Sequence, residues 1–404
     1  MPDQIIFHID VNSAFLSWSA LAQLEAGGTT DLRLIPSIVG GDMSTRHGVV
    51  LAKSIPAKKY GIKTGEPVVN AFRKYPGLVS VAPDHELYRG KSHLLMDYLK
   101  SVCPDIEQAS IDECYMNYTP IAADYASPEV AAAAIKDTVY EKFGFTVNVG
   151  ISDRKVLAKM ASDFKKPNLV HTLYSYEIRE KLWPLPVSDL FLCGKSSVET
   201  FRKLGILTIG DLAQADPEIL SAHLKSHGLM LWDYANGRDA STVMSQPAEA
   251  KGIGNSTTMA VDAMTREEAA KVLLGLSESV GKRLRTAGNR AGLVCIEIKY
   301  NTFRSVSHQL VLEEATASTD IIYRTALSLF DELWDGTPIR LLGVRTGKLV
   351  EAAEPVQLSL FDYAAPISEK QQKLDAALDS IRSKYGNNAI KRGSLMTSPK
   401  NEQT

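Results

Sequence analysis

Three carboxylates stand inside apolar stretches of the sequence, at positions where an apolar side chain is the ordinary choice. Asp10 ends the stretch QIIFHIDV, and Asp112 and Glu113 are neighbours within ASIDECYM. Together they would form an all-oxygen cluster, which suits Mg²⁺ bound with the phosphate oxygens of a substrate. Two such ions about 3.5–4 Å apart stabilise the attacking and leaving oxygens of a phosphoryl displacement. The three residues therefore predict metal-dependent chemistry on phosphates.

A purely structural explanation of the same carboxylates stays open at this point. In this alternative, Asp10 caps the helix that starts near Ser13, and Asp112 and Glu113 lie on an exposed strand edge. Neighbouring strand residues point to opposite faces, so only one of the pair shares the face of Asp10 unless the strand ends or bulges there. Spacing alone does not choose between the two explanations.

Residues 1–165 alternate between strand-like and helix-like patterns. Strands are predicted at QIIFHIDV, LRLIPSIVGG, HGVVLAKSI, QASIDECYMNY and FTVNVGISD, and helices at SAFLSWSALAQLEAGG, PAKKYGI, ELYRGKSHLLMDYLKSV and SPEVAAAAIKDTVYEKFG. Ser127 is placed to cap the last of these helices. The pattern predicts an α+β sheet with helices on one face.

The rest of the chain changes character twice. Residues 170–240 predict short helices, and 241–255 predict a polar linker. Residues 256–350 return to a strand–helix–strand–strand–helix–strand order, which predicts a second, βαββαβ-like sheet domain. Residues 366–392 carry the pattern of one more amphipathic helix.

Composition argues against several classes of protein. A chain of 404 residues predicts two to four compact units. No stretch reaches the ~20 uninterrupted apolar residues of a membrane span, and the N-terminus lacks the pattern of an export signal. The four cysteines form no C-x-x-C pair, which fits a reducing cytoplasm. The net charge of −2 still allows a local basic face.

Four stretches together resemble the palm and fingers signatures of Y-family translesion DNA polymerases: FHIDVNSAF, GVVLAKSIPAKKYGI, SIDECYMN and VGISDRKVLAKMASDFKKPN. The resemblance implies an α+β, multidomain, right-hand polymerase with a ferredoxin-like palm, small fingers, a helical thumb with a helix-hairpin-helix, and a βαββαβ-like little finger. The implied bounds are 1–13 and 81–170 for the palm, 14–80 for the fingers, 171–240 for the thumb, 241–255 for the linker, 256–350 for the little finger and 351–404 for the tail.

Carried over to the matching positions, the resemblance implies that Asp10, Asp112 and Glu113 are the catalytic, metal-binding carboxylates. The Val11 carbonyl would add a backbone ligand. Phe15 falls at the family's steric gate, an aromatic position that favours deoxynucleotides because the ring clashes with a 2′-hydroxyl. Without the resemblance, Phe15 would be assigned to the core of a helix.

The resemblance also implies nucleotide contacts from Leu51, over the nascent base pair, and from Lys58 and Lys166, on the triphosphate. The fingers depart from the family pattern at three positions, one of which is Ala52, where a hydroxyl-bearing residue is common. Ile55 stands where a tyrosine is common, and Lys58 replaces an arginine, whose fork would grip two oxygens. We expect weaker nucleotide binding or compensation by Lys53.

DNA contacts are expected in two regions. The stretch LCGKSSVETFRKLGI resembles a helix-hairpin-helix, in which Gly194 and Lys195 offer a helix start to a DNA phosphate. Leu192 stands where a second hairpin glycine is usual. The predicted little finger is locally basic, and phosphate contacts are expected from Lys282, Arg283, Arg285, Arg290 and Arg304.

The predicted tail carries QLSLF, whose Gln357, Leu358, Leu360 and Phe361 resemble the peptide by which bacterial replication proteins dock onto the sliding clamp. Apolar anchors in an otherwise polar segment are costly to expose without a partner. We therefore expect these four residues to bind the clamp.

Together the patterns predict an error-prone, template-directed DNA polymerase that adds dNTPs to a primer on template DNA. Two Mg²⁺ ions are expected, with Mn²⁺ as a substitute, in a cytoplasmic monomer without membrane contact or proofreading. A non-catalytic adaptor for DNA and clamp is one alternative, although all three carboxylates are present. A metal-dependent nucleotidyl cyclase or phosphatase is another, but it does not account for the hairpin, the basic domain or the clamp peptide.

Overall fold

The strand QIIFHIDV forms as predicted, and its position explains its apolar character. In the computed structural model, β1 (Ile6–Val11) is buried along its whole length. It is the central strand of a five-stranded sheet and pairs antiparallel with a strand on either side. The structure describes residues 4–42, 48–246, 249–352, 369–386, 389–390 and 392–393.

The first part of the chain alternates strands and helices, as predicted. The elements after β1 are α1 (Ala14–Glu25), β2 (Ser37–Gly40), β3 (Val50–Lys53), α2 (Ile55–Lys58), α3 (Val68–Lys74), β4 (Val79–Val81), α4 (His85–Val102), β5 (Ile106–Gln108), β6 (Glu113–Asn117), α5 (Pro128–Phe143), β7 (Val147–Ser152), α6 (Lys155–Asp163) and β8 (Val170–Thr172). The larger sheet has the order β5-β6-β1-β7-β8, and a smaller one has the order β3-β2-β4.

The two faces of the larger sheet have different neighbours. Phe7, Ile9 and Val11 share a hydrophobic core with side chains of α4 and α5. The alternate residues His8 and Asp10 point to the opposite face, where α6 packs. Helices on one face were predicted correctly for α4 and α5, whereas α6 lies on the other face and was not predicted.

Gly150 of β7 allows α6 to approach this second face closely. A Cβ at Gly150 would lie 2.0 Å from the Ala158 carbonyl oxygen and 2.5 Å from the Ser162 nitrogen. His8 is the partner of Gly150 across the β1–β7 ladder. The missing side chain therefore places α6 directly over His8.

The prediction of one strand over QASIDECYMNY is wrong, because a turn separates β5 from β6. Within this turn, Ser110 Oγ donates to Asp112 Oδ1 at 2.7 Å and accepts from the Asp112 amide at 3.3 Å. Such local side-chain bonds compete with the strand ladder. As a result, β6 begins at Glu113, directly after Asp112.

The next part of the chain is helical, as predicted. It contains α7 (Ile178–Lys181), α8 (Lys195–Lys203), α9 (Ile209–Gln214) and α10 (Pro217–Ala235). Their apolar side chains form a second core with residues of α6. The chain then returns to the larger sheet, where the Met244 amide donates to Glu107 Oε2 at 2.8 Å. The first residues of the predicted linker are therefore bound to the first unit.

The chain divides into two compact units after residue 248. The second unit contains β9 (Gly254–Ala263), α11 (Arg266–Thr286), β10 (Asn289–Tyr300), β11 (Ser305–Thr316), α12 (Thr319–Leu333), β12 (Ile339–Glu351) and α13 (Glu369–Tyr385). Its antiparallel sheet has the order β11-β10-β12-β9. The first six elements follow the predicted βαββαβ order, and α11 and α12 pack on the sheet.

The helix α13 is fixed to the second unit by partly buried ion pairs. Arg285 of α11 binds Asp379 with Nε at 2.6 Å and Nη2 at 3.2 Å. Asp375 is 2% exposed and accepts from the Thr319 amide at the start of α12 at 3.1 Å. In the described part of the chain, no helix has the length and apolar character needed to cross a membrane.

Candidate active site

Asp10 and Glu113 are directly opposed across the β1–β6 ladder. Opposed residues of an antiparallel pair project from the same face, with Cβ atoms about 4.5–5.5 Å apart. Glu113 is therefore the member of the acidic pair that shares the face of Asp10. Asp112 lies just before β6, and its carbonyl accepts from the Val11 amide at 3.0 Å. Because β6 begins only at Glu113, Asp112 is not bound to the alternation of strand residues. All three carboxylates therefore lie at this end of the sheet.

Asp10 does not cap α1, so the structural explanation of this carboxylate is wrong. The N-cap residue is Ser13, and no side chain caps the helix. The Asp10 carboxylate instead forms an ion pair with Lys166, which also contacts Asp163 at 2.8 Å. Burial alone would lower the pKa of Lys166, but the charges of Asp10 and Asp163 and the hydrogen bonds to them together outweigh it, so the pKa is raised.

Glu113 is held by groups from β1 and α6. Its Oε2 lies 3.4 Å from His8 Nε2 and 2.6 Å from Lys159 Nζ. Contact with His8 and then with Lys159 lowers the pKa of Glu113 to about 2. His8 is fully buried, and this burial lowers the pKa of its imidazole. Glu113 is consequently a carboxylate beside a neutral histidine and a charged lysine.

The pKa of Asp112 is shifted in the opposite direction from that of Glu113. Burial raises the pKa of Asp112, and the negative charges of Asp10 and Glu113 raise it further. The hydrogen bond from Ser110 only partly opposes this effect. A cation between the carboxylates would relieve the repulsion, so the site favours a bound positive ion.

The donor set fits hard divalent cations. Three carboxylates offer only oxygen ligands, which Mg²⁺ and similar ions prefer. The buried His8 Nε2 has no hydrogen-bond partner and faces Glu113. Within the described ranges, no three His, Cys, Asp or Glu side chains are already arranged around a metal position. Two of the carboxylates, Glu113 and Asp10, instead form ion pairs with Lys159 and Lys166.

Phe15 lies in the first turn of α1 and is held by stacking. Its ring is parallel to that of Tyr88, with centroids 4.3 Å apart and planes at 8°. Tyr88 is fully buried, and its hydroxyl bonds Ser19 Oγ at 2.8 Å. His85 meets both rings at nearly a right angle. The partly exposed Phe15 ring therefore has a fixed orientation.

The structure brings two cations of the expected fingers together. Lys58 is exposed at the end of α2, and Lys53 of β3 donates to Thr64 Oγ1 at 3.2 Å. Burial lowers the pKa of Lys53, and the nearby charge of Lys58 lowers it further. Leu51 lies on the same strand and packs against the main core. Lys166, by contrast, is engaged with Asp10.

The expected hairpin has the backbone of a glycine turn. Leu192 adopts a φ of 64°, the left-handed conformation that favours glycine, and it is 52% exposed. Gly194 is the N-cap of α8, and Lys195 is its first residue. The first amides of a helix have no acceptor within that helix, so this start can bind an anion.

The five basic residues predicted to contact DNA all lie in the second unit, and some of them are engaged by other protein groups. They are Lys282, Arg283, Arg285, Arg290 and Arg304. Arg285 forms ion pairs with Asp379 and Asp375 of α13. Arg304 pairs with Asp335, and exposed Arg283 donates to the Gly254 carbonyl at 2.8 Å. The predicted clamp peptide, residues 357–361, lies outside the described residues.

Three residues at the carboxylate site were not predicted from the sequence: His8, Lys159 and Ser162. The signal for His8 was its position two residues before Asp10, which places both on one strand face. Lys159 and Ser162 are three residues apart, which places them on one face of a helix. That signal required α6 to be recognised first.

Comparison with known proteins agrees with this geometry. Residues 9–163 match the impB/mucB/samB family, and residues 250–360 match the C-terminal domain of that family. DNA polymerase IV of Clostridium acetobutylicum is 46% identical over 393 residues, which are 97% of this chain and 98% of that protein. DNA polymerase IV 1 of Bacillus subtilis is 33% identical over 395 residues, 97% of this chain and 93% of that protein.

A solved structure, a Y-family DNA polymerase chimera, is similar in fold. It has a TM-score of 0.74 and 22% identity, and the match covers 86% of this chain and 99% of the chimera. The relatives match nearly the whole chain, and the carboxylate site lies within the first family match. This chain therefore belongs to the impB/mucB/samB family and has the fold of a Y-family DNA polymerase.

Proposed function

We infer that this chain is a template-directed DNA polymerase of the translesion type, which adds dNTPs to the 3′ end of a primer. One observation carries the inference. Asp10 opposes Glu113 in the β1–β6 ladder, and Asp112 directly precedes β6. This places three acidic side chains at one sheet end, in a chain whose full-length relatives are named DNA polymerase IV.

We assign Asp10, Asp112 and Glu113 as ligands of two Mg²⁺ ions, with Mn²⁺ able to substitute and the Val11 carbonyl as a further ligand. Bound divalent ions would offset the negative charge that develops when the primer 3′-hydroxyl displaces pyrophosphate from a dNTP. Lys166 holds Asp10 in this structure, and we assign to it a contact with the triphosphate once the nucleotide is bound. The lysine therefore keeps the carboxylate site neutralised before substrate arrives.

The nucleotide is recognised by residues on both sides of this site. Phe15 is rigidly stacked, so it excludes a 2′-hydroxyl without rearranging. Lys53 and Lys58 share one region of positive charge on the fingers, which supports the expectation that Lys53 compensates for the departures there. We assign Leu51 to the position over the nascent base pair.

DNA is gripped by the hairpin at Gly194 and Lys195 and by exposed basic residues of the second unit, such as Arg283. These groups contact phosphates, so DNA binding is independent of the DNA sequence and weakens as the salt concentration rises. We further propose a cytoplasmic monomer that docks onto the sliding clamp through Gln357, Leu358, Leu360 and Phe361.

Primer extension with Mg²⁺ on an undamaged template tests the polymerase function. Asp112→Ala is expected to abolish extension, because the site then lacks one of its three carboxylates. Asp97→Ala is the matched control, since Asp97 is an exposed carboxylate of α4. Extension by wild type and Asp97→Ala but not by Asp112→Ala supports the assignment. Extension that survives in Asp112→Ala contradicts it.

A peptide spanning residues 354–364 tests the clamp proposal separately. Binding to a purified bacterial clamp is expected in calorimetry or fluorescence anisotropy. A peptide with Leu360→Ala and Phe361→Ala serves as the control and is expected not to bind. Equal behaviour of the two peptides contradicts docking through these residues.

A further inference from the structure

The histidine beneath the carboxylate site has no function in the chemistry described so far. His8 is fully buried, two residues before Asp10 on the same face of β1. Its Nδ1 lies 2.8 Å from Ser162 Oγ on α6, and its ring packs at an angle against Tyr115, with centroids 4.8 Å apart. The imidazole is thus fixed on one side by a hydroxyl and on a face by an aromatic ring.

The other ring nitrogen points into the carboxylate site. His8 Nε2 is 3.4 Å from Glu113 Oε2, yet it has no formed hydrogen bond. The same oxygen accepts from Lys159 Nζ at 2.6 Å. The nitrogen is therefore a buried polar atom that faces a carboxylate already engaged by a lysine.

Electrostatics assign the tautomer of the neutral ring. A lone pair on Nε2 would face the negative Glu113 oxygen, whereas an Nε2–H bond dipole would attract it. The Ser162 hydroxyl has two acceptors at 2.8 Å, the Lys159 carbonyl and His8 Nδ1, and it donates to Nδ1 when the ring proton is on Nε2. The Glu113 carboxylate therefore selects the tautomer and Ser162 supports it, in the way that outer partners orient metal-ligating groups.

We propose that His8 is a positioning residue for Glu113, whose carboxylate accepts from Nε2–H when divalent metal ions replace Lys159 as its counter-charge. Ser162 supports the tautomer that this requires by donating to Nδ1 instead of to the Lys159 carbonyl. The inference rests on the proposed metal site, in which Glu113 is a ligand. It adds a residue that contacts neither metal nor substrate but contributes to metal affinity.

Two amide substitutions separate this role from simple packing. His8→Gln carries its amide nitrogen to about the reach of Nε2, so it keeps a donor toward Glu113. His8→Asn reaches only about as far as Nδ1, so it keeps the Ser162 contact and loses the donor. Unfolding in EDTA checks that both variants are folded. Ser162→Ala removes the hydroxyl that can donate to Nδ1.

The readout is Mn²⁺ binding to the full-length protein, measured from the free-ion signal in electron paramagnetic resonance. His8→Asn is expected to weaken Mn²⁺ binding about 10-fold, the size typical for loss of an outer partner, and His8→Gln to restore most of it. The Mg²⁺ concentration for half-maximal primer extension should rise in parallel, while kcat at saturating Mg²⁺ changes less. Ser162→Ala should fall between wild type and His8→Asn.

Glu113→Ala separates failure of this inference from failure of the metal site. If Glu113→Ala weakens Mn²⁺ binding and folded His8→Asn binds as tightly as wild type, the positioning role is wrong and the metal site stands. If Glu113→Ala itself binds Mn²⁺ normally, the metal site is wrong. Equal weakening in His8→Asn and His8→Gln also contradicts the positioning role, because the retained donor would then have no effect.

Discussion

Asp10 and Glu113 are paired residues of the β1–β6 ladder, so two negative charges lie side by side on one face of the sheet. Like charges at opposed positions destabilise a sheet. In this chain each is offset by a lysine, Lys166 on Asp10 and Lys159 on Glu113. Asp112 is the third carboxylate, and its pKa is raised. Neighbouring ligands of one proposed site therefore affect the stability of the metal-free protein in opposite directions.

Glu113→Gln is expected to destabilise the metal-free protein at neutral pH. The pKa of Glu113 is about 2 in the folded chain against an ordinary value of 4.5, so the ionised form stabilises the fold above about pH 4.5. That contribution is lost as the pH falls toward 2. For a half-buried ion pair we expect a loss of about 1–3 kcal/mol at pH 7.

Urea unfolding in EDTA between pH 7 and pH 3 measures this difference. The difference in the free energy of unfolding between wild type and Glu113→Gln should become smaller as the pH falls from about 4.5 to 3. A gap that stays constant with pH would assign the loss to packing rather than to charge.

Asp112→Asn is expected to do the reverse and stabilise the metal-free protein. Because the folded pKa of Asp112 is raised, its favourable contribution is present below the unfolded pKa and is lost as the pH rises through the folded value. At pH 7 the charged form opposes folding, and asparagine removes that charge.

Thermal unfolding with EDTA and with Mg²⁺ checks the prediction. In EDTA the variant should unfold at a higher temperature than wild type, while Mg²⁺ should stabilise wild type more than the variant. The variant should also lose primer extension. A lower unfolding temperature in EDTA would show that the Ser110 contact outweighs the charge.

Gly150→Ala should displace α6 from the sheet. The added Cβ would lie 2.0 Å from the Ala158 carbonyl oxygen, and backbone of a packed helix cannot yield cheaply. We expect a loss of about 1–3 kcal/mol and loss of polymerase activity. Gly90→Ala is the control, because Gly90 is an exposed position of α4 where a Cβ meets nothing within 4 Å. It should stabilise by about 0.5–1 kcal/mol; similar losses in both variants would contradict the packing argument.

The carboxylates and the second βαββαβ unit could be predicted because each signal is local. Asp10 interrupts an apolar strand, and the strand–helix order of 256–350 is readable from periodicity. The turn before Glu113 was missed, since it depends on bonds between Ser110 and Asp112 inside an apolar stretch. Local polarity identifies the residues of the site, whereas the exact strand end depends on the turn.

Partners contributed by distant elements were harder to predict. Asn12 is a case: its amide donates to Asn148 Oδ1 at 3.1 Å, and its oxygen accepts from the Asn168 amide at 2.9 Å. It ties the end of β1 to β7 and to the loop after Lys166. Nothing in the neighbourhood of Asn12 in the sequence indicates those contacts, because they join residues more than 130 positions apart.

Arg285→Ala should lower stability without changing how DNA binding depends on salt. Arg285 was predicted to contact phosphate, but it lies between α11 and the acidic residues Asp375 and Asp379. Removing it leaves two carboxylates without this partner, which costs about 3–5 kcal/mol for a fully buried pair and less here. Fluorescence anisotropy with duplex DNA should give an unchanged slope of log affinity against log salt.

Arg283→Ala provides the comparison, because Arg283 is exposed on the same helix. If Arg283 contacts a phosphate, its loss lowers the magnitude of the slope by about 0.9. A slope change of that size in Arg285→Ala instead would restore Arg285 as a DNA contact and contradict its structural role.

Phe15→Ala should reduce discrimination between dNTPs and rNTPs. The Phe15 ring is held parallel to buried Tyr88, so it acts as a rigid wall rather than a side chain that swings aside. Loss of steric exclusion of this kind is worth about 10–100-fold in the ratio of kcat/KM values. Single-nucleotide extension with matched dNTP and rNTP gives that ratio. Tyr88→Phe keeps the stacking surface and loses only the bond to Ser19, so it should keep wild-type discrimination. If Phe15→Ala lowers the unfolding temperature but leaves the ratio unchanged, Phe15 is a core residue of α1 and the sugar is selected elsewhere.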